Sequence, residues 1–338
     1  MDHFAAHYLH VEAEVLQPLA LNPHKGSSLR GGLFHALWNR FCMNKAASVC
    51  AECPLVATCP VALLVSTLRP ENERGRDVPR PYAIRPPLDP ATRYPSGDRF
   101  TFGLTLFAQA LNLFPYIILA LDEMGRAGLG LKLEENRWRR GTFRVCAVEA
   151  VNPLTGERRP VVRAGESLVR VPDVPVTHAQ VLSQVRPPQG GRLTLHFLTP
   201  TRIVDRGELV KRPHFRPLFQ RLLERLSALA REFSDTPLDL DFRDLIQRAE
   251  GVQLVADETR WVELASYSTR LRRATPIGGF VGRATYWAED WGPFLPWLIW
   301  GQFTQVGKDA VKGNGWYEVL NGLSKGIKET EVSDGVSA

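Results

Sequence analysis

Two periodicities alternate along this chain in one order, and that order constrains the fold more than any single motif. Residues 6–16, AHYLHVEAEVL, set Tyr8, His10 and Glu12 opposite Leu9, Val11 and Ala13, the period-two pattern of a half-buried strand. Helical spacing follows over about Leu29–Phe41. There Leu33, Phe34, Leu37, Trp38 and Phe41 share a face, and Ser27 or Ser28 stands in the capping position. A short strand is predicted at Pro81–Arg85 and a longer one at Arg99–Gln109. A helix over Leu111–Ala127 begins near Pro115 and ends in Gly125, Gly128 and Gly130, and a strand at Thr142–Val151 completes the set.

The second half repeats the order without visible sequence similarity. Strand Arg192–Leu198 leads to a long amphipathic helix, Phe215–Phe233. Strand-like stretches follow at Val252–Val255, Trp261–Tyr267 and Gly279–Trp287, then an apolar helix over Trp291–Phe303 and a last strand, Trp316–Leu320. Strand–helix–strand–strand–helix–strand is the ferredoxin-like arrangement. The predicted fold is therefore α+β: two tandem ferredoxin-like (βαββαβ, RRM-like) domains with a cysteine-rich metal-binding insertion. The first domain spans residues 1–155, with the insertion at about 42–75. A hairpin (159–162 with 168–171), a short helix (177–185) and a linker ending in PPQGG occupy 156–190. The second domain spans 191–322 and carries a glycine-rich loop; 323–338 form a polar tail.

At 338 residues, 44% hydrophobic and 23% charged, the chain is neither disordered nor a small scaffold dependent on staples. No apolar run reaches the roughly 18 residues of a membrane span, and no secretory signal is visible, so no membrane partner and a cytoplasmic location are expected. The net charge is +6, and 34 of the 42 basic residues are arginine, the other eight lysine. Arginine's planar fork suits phosphates and bases, although an arginine excess also arises from base composition alone. Four of five cysteines, Cys42, Cys50, Cys53 and Cys59, crowd into the pattern C-x7-C-x2-C-x5-C-P, while Cys146 stands apart. That spacing points to a metal held by four thiolates: structural zinc, with an iron–sulfur cluster as the alternative. No histidine lies among them, so an open catalytic metal site is not indicated.

Seven blocks in order carry a resemblance: SSLRGGLFHALWNRFC, CAECPLVATCP, FTFGLTLFAQALNLFPYIILALDEMGRAGLG, LTLHFLTPTRI, WVELASYSTRL, IGGFVGRATYW and WGQFTQVGKDAVKGNGWYEV. Together they span about residues 27–320. They resemble the CRISPR-associated endoribonucleases of the RAMP superfamily that process precursor CRISPR RNA, in a branch with a cysteine insertion after the first helix. The resemblance implies cleavage within each repeat, with no cofactor for catalysis. The ribose 2′-hydroxyl attacks the adjacent phosphate and leaves 2′,3′-cyclic phosphate and 5′-hydroxyl ends. It implies repeat RNA as partner, and other effector-complex subunits as further partners. A non-catalytic RNA-binding subunit of an effector complex is the alternative reading, and a metal protein with no RNA role is a third. Two blocks depart from the family: Ser266-Tyr267-Ser268-Thr269-Arg270-Leu271 lacks its first arginine and its glutamine, and Gly313-Asn314-Gly315-Trp316-Tyr317 lacks its arginine.

Such chemistry needs a proton acceptor, a proton donor and cations for the phosphorane. Histidine suits the proton transfers. His35 is the first candidate, on the side of the first helix that carries Ser28, Gly32 and Asn39; Gly31 and Gly32 leave room for a backbone or phosphate. It is expected at the rim facing the glycine-rich loop of the second domain. His24 and Lys25, in the preceding loop, are the next candidates. The expected RNA-binding set is Arg30, Tyr267, Arg270, Gly307, Lys308, Lys312, Gly313 and Gly315, in which the glycines let backbone N–H groups approach phosphates. Arg221 with Arg225, and Arg139 with Arg140, read as solvated pairs.

Overall fold

The computed structural model describes residues 1, 3–66, 78–268 and 273–323. The first half opens with β1 (Ala6–Val15), whose alternation buries Leu9, Val11, Ala13 and Val15 on one face and leaves Tyr8, His10, Glu12 and Glu14 on the other. Then come α1 (Lys25–Phe41), the short α2 (Pro60–Val65), β2 (Tyr82–Arg85), β3 (Arg99–Phe107) and α3 (Phe114–Ala127). A hairpin of β4 (Leu129–Leu133) and β5 (Arg139–Gly141) precedes β6 (Phe143–Asn152) and β7 (Glu157–Arg163). The main sheet has the order β2-β3-β1-β6-β7, all neighbours antiparallel. Helices α1 and α3 cover its apolar face, with Leu33 and Leu37 of α1 and Ile117 and Leu121 of α3 in one core with Leu9 and Val11. Each such side chain contributes about 1.5–3 kcal/mol on burial.

After α4 (His178–Gln184), capped by Thr177 and Gln180, the second half runs β8 (Arg192–Thr201), α5 (Phe215–Phe233), α6 (Phe242–Ala249) and β9 (Gln253–Val262). A small hairpin, β10 (Ala265–Ser268) and β11 (Arg273–Pro276), leads to β12 (Gly279–Trp287), α7 (Leu295–Thr304) and β13 (Tyr317–Val319). The sheet order is β9-β12-β8-β13. In both halves the four principal strands stand in the spatial order second, third, first, fourth. The fold is the mixed α+β expected. No helix among the described residues is long and apolar enough to cross a membrane.

Several boundaries and roles differ from expectation, each because a partner distant in sequence intervenes. Helix α1 starts at Lys25, not Leu29, and neither Ser27 nor Ser28 caps it. Residues 159–171 form no hairpin: β7 joins the first sheet as a fifth strand, and Arg170 gives only one backbone bond to Val161. Arg225 is not solvated. It is buried against α7, donates to the Thr304 carbonyl at 2.6 Å, and burial pulls its guanidinium down to about 10. Arg221 pairs with Glu224 and, at 3.8 Å, with Asp205.

The halves share packing. Phe4, Ala6, Ala83 and Phe107 belong to the core of the second half, where Phe4 meets Trp300 edge-on at 5.3 Å. Arg85 reaches across, donating to the Gln302 carbonyl at 2.8 Å and lying 4.4 Å from the Tyr8 ring and 5.1 Å from the Trp316 ring.

Candidate active site

Helix α1 presents three of the candidates, and they fall in two different environments. At its first turn His24 is buried with both ring nitrogens engaged. Nε2 meets Asn314 Oδ1, and Nδ1 lies 2.9 Å from Ser27 Oγ. Asn314, fully buried, donates an amide proton to the Ile277 carbonyl at 2.8 Å, so its oxygen faces the imidazole as an acceptor. Nε2 therefore carries the proton, and the Ser27 hydroxyl donates to Nδ1. Burial pulls His24 below the usual histidine range and outweighs the Asn314 bond, which keeps the ring neutral. Such a ring joins the first helix to the C-terminal loop; no ring nitrogen is left for a ribose hydroxyl.

Lys25 is equally occupied. Its side chain is only 3% exposed, pairs with the Asp89 carboxylate at 3.0 Å, also donates to the Asp89 carbonyl, and lies 5.5 Å from the Tyr94 ring. Tyr94 donates to the same carboxylate at 3.0 Å. This buried pair anchors the chain, and in the structure the Lys25 ammonium is engaged by Asp89.

The glycine-rich loop is packed, not open. The N–H of Lys308 goes to Arg202, that of Lys312 to Asp309, that of Gly313 to Ala310 and that of Gly315 to Pro200. Gly315 has φ 74°, and a Cβ there would meet the Val306 carbonyl oxygen at 1.8 Å. Gly307 and Gly315 thus serve close approach of backbone to backbone and Gly313 makes room for the Pro86 ring, while the N–H groups of Lys308, Lys312, Gly313 and Gly315 are already used. Lys312 is paired to Asp309 at 2.9 Å, whereas Lys308 is exposed. Of the other expected RNA contacts, Tyr267 lies on β10, paired through its backbone with Ala274, and Arg270 lies outside the described residues.

His35 lies eleven residues beyond His24, about 16 Å along the helix axis at 1.5 Å per residue. The charges that act on it are Arg140, from the β4–β5 hairpin of its own half, and Arg30 of its own helix. Gly32 seats α1 against Leu129 and Met124, where a Cβ would sit 2.7–2.8 Å from their side chains, so it does not admit a phosphate. One turn on, His35 is exposed, edge-on to Phe34 at 5.5 Å. Arg30 lies over the same Phe34 ring, 5.4 Å from its centroid. Partial desolvation, then the charges of Arg140 and Arg30, hold His35 below its ordinary 6.5. The imidazole is neutral at pH 7, and neither of the two guanidiniums that act on it has a carboxylate partner among the described residues.

Arg140 also lines a groove of about 760 Å³ with Arg126, Lys132, Trp138 and Arg139, and no carboxylate lines it. Arg126 is paired to Asp122 at 3.0 Å; Lys132, Arg139 and Arg140 have no ion pair among the described residues. Reading Arg139 and Arg140 as a solvated pair missed this groove. The available signal was the alternation of Leu129, Leu131 and Leu133 ahead of the turn ENRWRR, a hairpin pattern.

The four clustered cysteines line one small cavity of about 160 Å³ between the end of α1 and α2. Burial, then the nearby Cys59, Cys42 and Cys53, pushes the Cys50 thiol up. Asn44 Nδ2 lies 3.5 Å from Cys53 Sγ. Among the described residues no three His, Cys, Asp or Glu side chains converge closely enough to form a metal site.

Residues 4–174 match the AF_1859_N family, an N-terminal domain, and residues 195–317 match the family of the CRISPR-associated endoribonuclease Cas6. No curated protein matches the chain by sequence. Among solved structures it is similar to a product complex of Cas6 (TTHB231), 18% identical with a TM-score of 0.54, over 94% of this chain and 99% of that one. It is similar to Thermus thermophilus Cas6 (TTHB231) alone at 15% and 0.53, with the same coverage. It also resembles a chain of a partial Cas6-RT-Cas1–Cas2 complex, 15% identical with a TM-score of 0.57, over 94% of this chain and 46% of that one. At these identities the structures speak for the fold.

Proposed function

This chain belongs to the CRISPR-associated Cas6-type RAMP family, and on that premise we propose that it is an endoribonuclease that cuts precursor CRISPR RNA within its repeats. The observation that carries the site is His35, an exposed imidazole held below its ordinary range by partial desolvation and by the charges of Arg140 and Arg30, the first of which also lines a groove of cations. In this reading His35 takes the proton of the ribose 2′-hydroxyl. The 2′-oxygen bonds to the adjacent phosphorus in line, the bond to the 5′-oxygen breaks, and that oxygen takes a proton from water. Arg140 and Arg30 stabilise the extra phosphorane charge. The products are a 2′,3′-cyclic phosphate and a 5′-hydroxyl. A lining without carboxylates supports a route without magnesium.

The same strand order in both sheets supports reading the halves as ferredoxin-like domains, with the cysteine segment as an insertion. Likeness to a chain of a Cas6-RT-Cas1–Cas2 complex supports other Cas proteins as partners beside repeat RNA. Incubation with repeat RNA from its own genome in EDTA should give the two product ends just named. RNA left whole in EDTA but cut with magnesium would overturn the mechanism. RNA bound tightly yet whole under both conditions would favour the non-catalytic subunit.

We also infer that Cys42, Cys50, Cys53 and Cys59 hold one metal ion or cluster. Support comes from their spacing and from the one cavity they line; the four thiols do not yet converge, and binding would draw this donor set, suited to tetrahedral zinc, together. Bound there, the metal would fold the insertion and take no part in cleavage. Freshly purified protein should contain about one zinc, or one iron–sulfur cluster, per chain. Elemental analysis finding neither metal rejects the site, and a brown protein selects the cluster.

A further inference from the structure

The turn between β4 and β5 is built in an unusual way. Arg137 and Trp138 are consecutive non-glycine residues in the left-handed region, at φ 55° and 61°. Bulky side chains rarely adopt it, and each such residue costs on the order of 1–3 kcal/mol. The surroundings hold the turn in place. Trp138 N–H bonds the Leu133 carbonyl at 2.9 Å, Arg137 N–H bonds Glu134 at 2.7 Å, and the buried Asn136 amide donates to the Pro18 carbonyl at 2.7 Å. Yet the indole so placed is 67% exposed, the most solvent-accessible tryptophan among the described residues, and it makes no ring contact with them. A firmly anchored turn thus presents a large aromatic face to water on the wall of the cationic groove.

Two features identify the occupant. The groove's free cations, Lys132, Arg139 and Arg140, match a polyanion and have no carboxylate to satisfy them. An exposed aromatic beside such cations suits a base whose backbone runs past it, because every base has a face that stacks. We propose that Trp138 stacks an unpaired base of the RNA, whose phosphates lie along Lys132 and Arg139. This rests on the function proposed above and assigns a binding element for that substrate. Arg140 belongs both to this groove and to the surroundings of His35. The stacked base therefore lies within a few nucleotides of the scissile phosphate, and Trp138 helps set which phosphate reaches His35.

The test uses fully 2′-O-methylated repeat RNA, which cannot be cut at any position, and measures its affinity by fluorescence anisotropy. Trp138→Gly removes the ring and suits the left-handed backbone, so it should keep or raise the unfolding temperature. It should nevertheless weaken binding about tenfold. Trp138→Phe should bind nearly as the wild type does. Lys132→Gln and Arg139→Gln should each flatten the salt dependence of binding, which Trp138→Gly should leave unchanged. With unmodified RNA, Trp138→Gly should also spread cleavage over neighbouring positions. Wild-type affinity in Trp138→Gly overturns the proposal, as does unchanged RNA binding with loss of a protein partner. If the wild type itself fails to bind the RNA, the functional reading falls, not the stacking alone.

Discussion

His35→Ala will slow cleavage of repeat RNA at least about a hundredfold, the usual scale for a lost general acid or base. RNA affinity will stay close to that of the wild type, because affinity rests on phosphate contacts by the arginines and lysines. The substitution is clean in structural terms: His35 is exposed, and its side chain has no hydrogen bond among the described residues, so folding should be unaffected. His24→Ala is the contrasting case. It would also lower activity, but by releasing Asn314 and loosening the loop, and its defect should appear in the unfolding curve. Single-turnover cleavage beside thermal melts separates the two. A His35→Ala protein that cuts at the wild-type rate would remove the proposed base.

The same assignment has a pH signature. His35 must be neutral to accept a proton, and partial desolvation together with Arg140 and Arg30 holds it below 6.5. The acid limb of kcat/KM, which reports the free enzyme, should therefore fall below pH 6.5. Arg140→Gln removes one of the two positive charges, which raises the pKa, so the limb should move up towards 6.5. The same change should slow the reaction at its optimum, because the phosphorane loses a cation. An acid limb unmoved by Arg140→Gln would dissociate His35 from it.

Elements set by local periodicity were legible in the sequence. Helix Phe215–Phe233 and strand Gly279–Trp287 have the bounds read from their patterns, since each carries its full apolar face in one continuous stretch. Features decided by a distant partner were not. His24 sits at the start of α1, where Asn314, 290 residues away, engages it, and no local signal announces that partner. Arg225 looks like a solvated helix residue until the Thr304 carbonyl arrives from α7. Glycine spacing suits a phosphate cradle and a tight backbone crossing equally well, and only the partners of the loop's N–H groups separate them. The site was half legible for the same reason. His35 stood out by residue type and helical side, whereas Arg140 and Trp138 come from a hairpin whose short leucine alternation does not say where its turn will lie against the rest of the fold.

The glycines of α1 offer the second large effect, and two of them should respond in opposite directions. Gly26, buried in the first turn, crosses the glycine-rich loop so closely that a Cβ would lie 1.9 Å from the Lys312 carbonyl oxygen and 2.7 Å from its carbon. Both obstacles are backbone, so no rotamer change relieves them. The loop itself is tied by Asn314 to His24 and Ile277. Gly26→Ala must push α1 and the loop apart, exposing that buried hydrogen-bonded junction. The expected cost is about 3 kcal/mol or more, at the upper end for overpacking. Gly31 lies in the same helix with nothing within 4 Å of where its Cβ would stand. Gly31→Ala should stabilise by about 0.5–1 kcal/mol, because alanine loses less backbone entropy in a helix. Denaturant melts of the pair test whether the first helix docks on the C-terminal loop through its glycine. Equal melts would mean that this contact does not hold the halves together, and His24 would then be free to move.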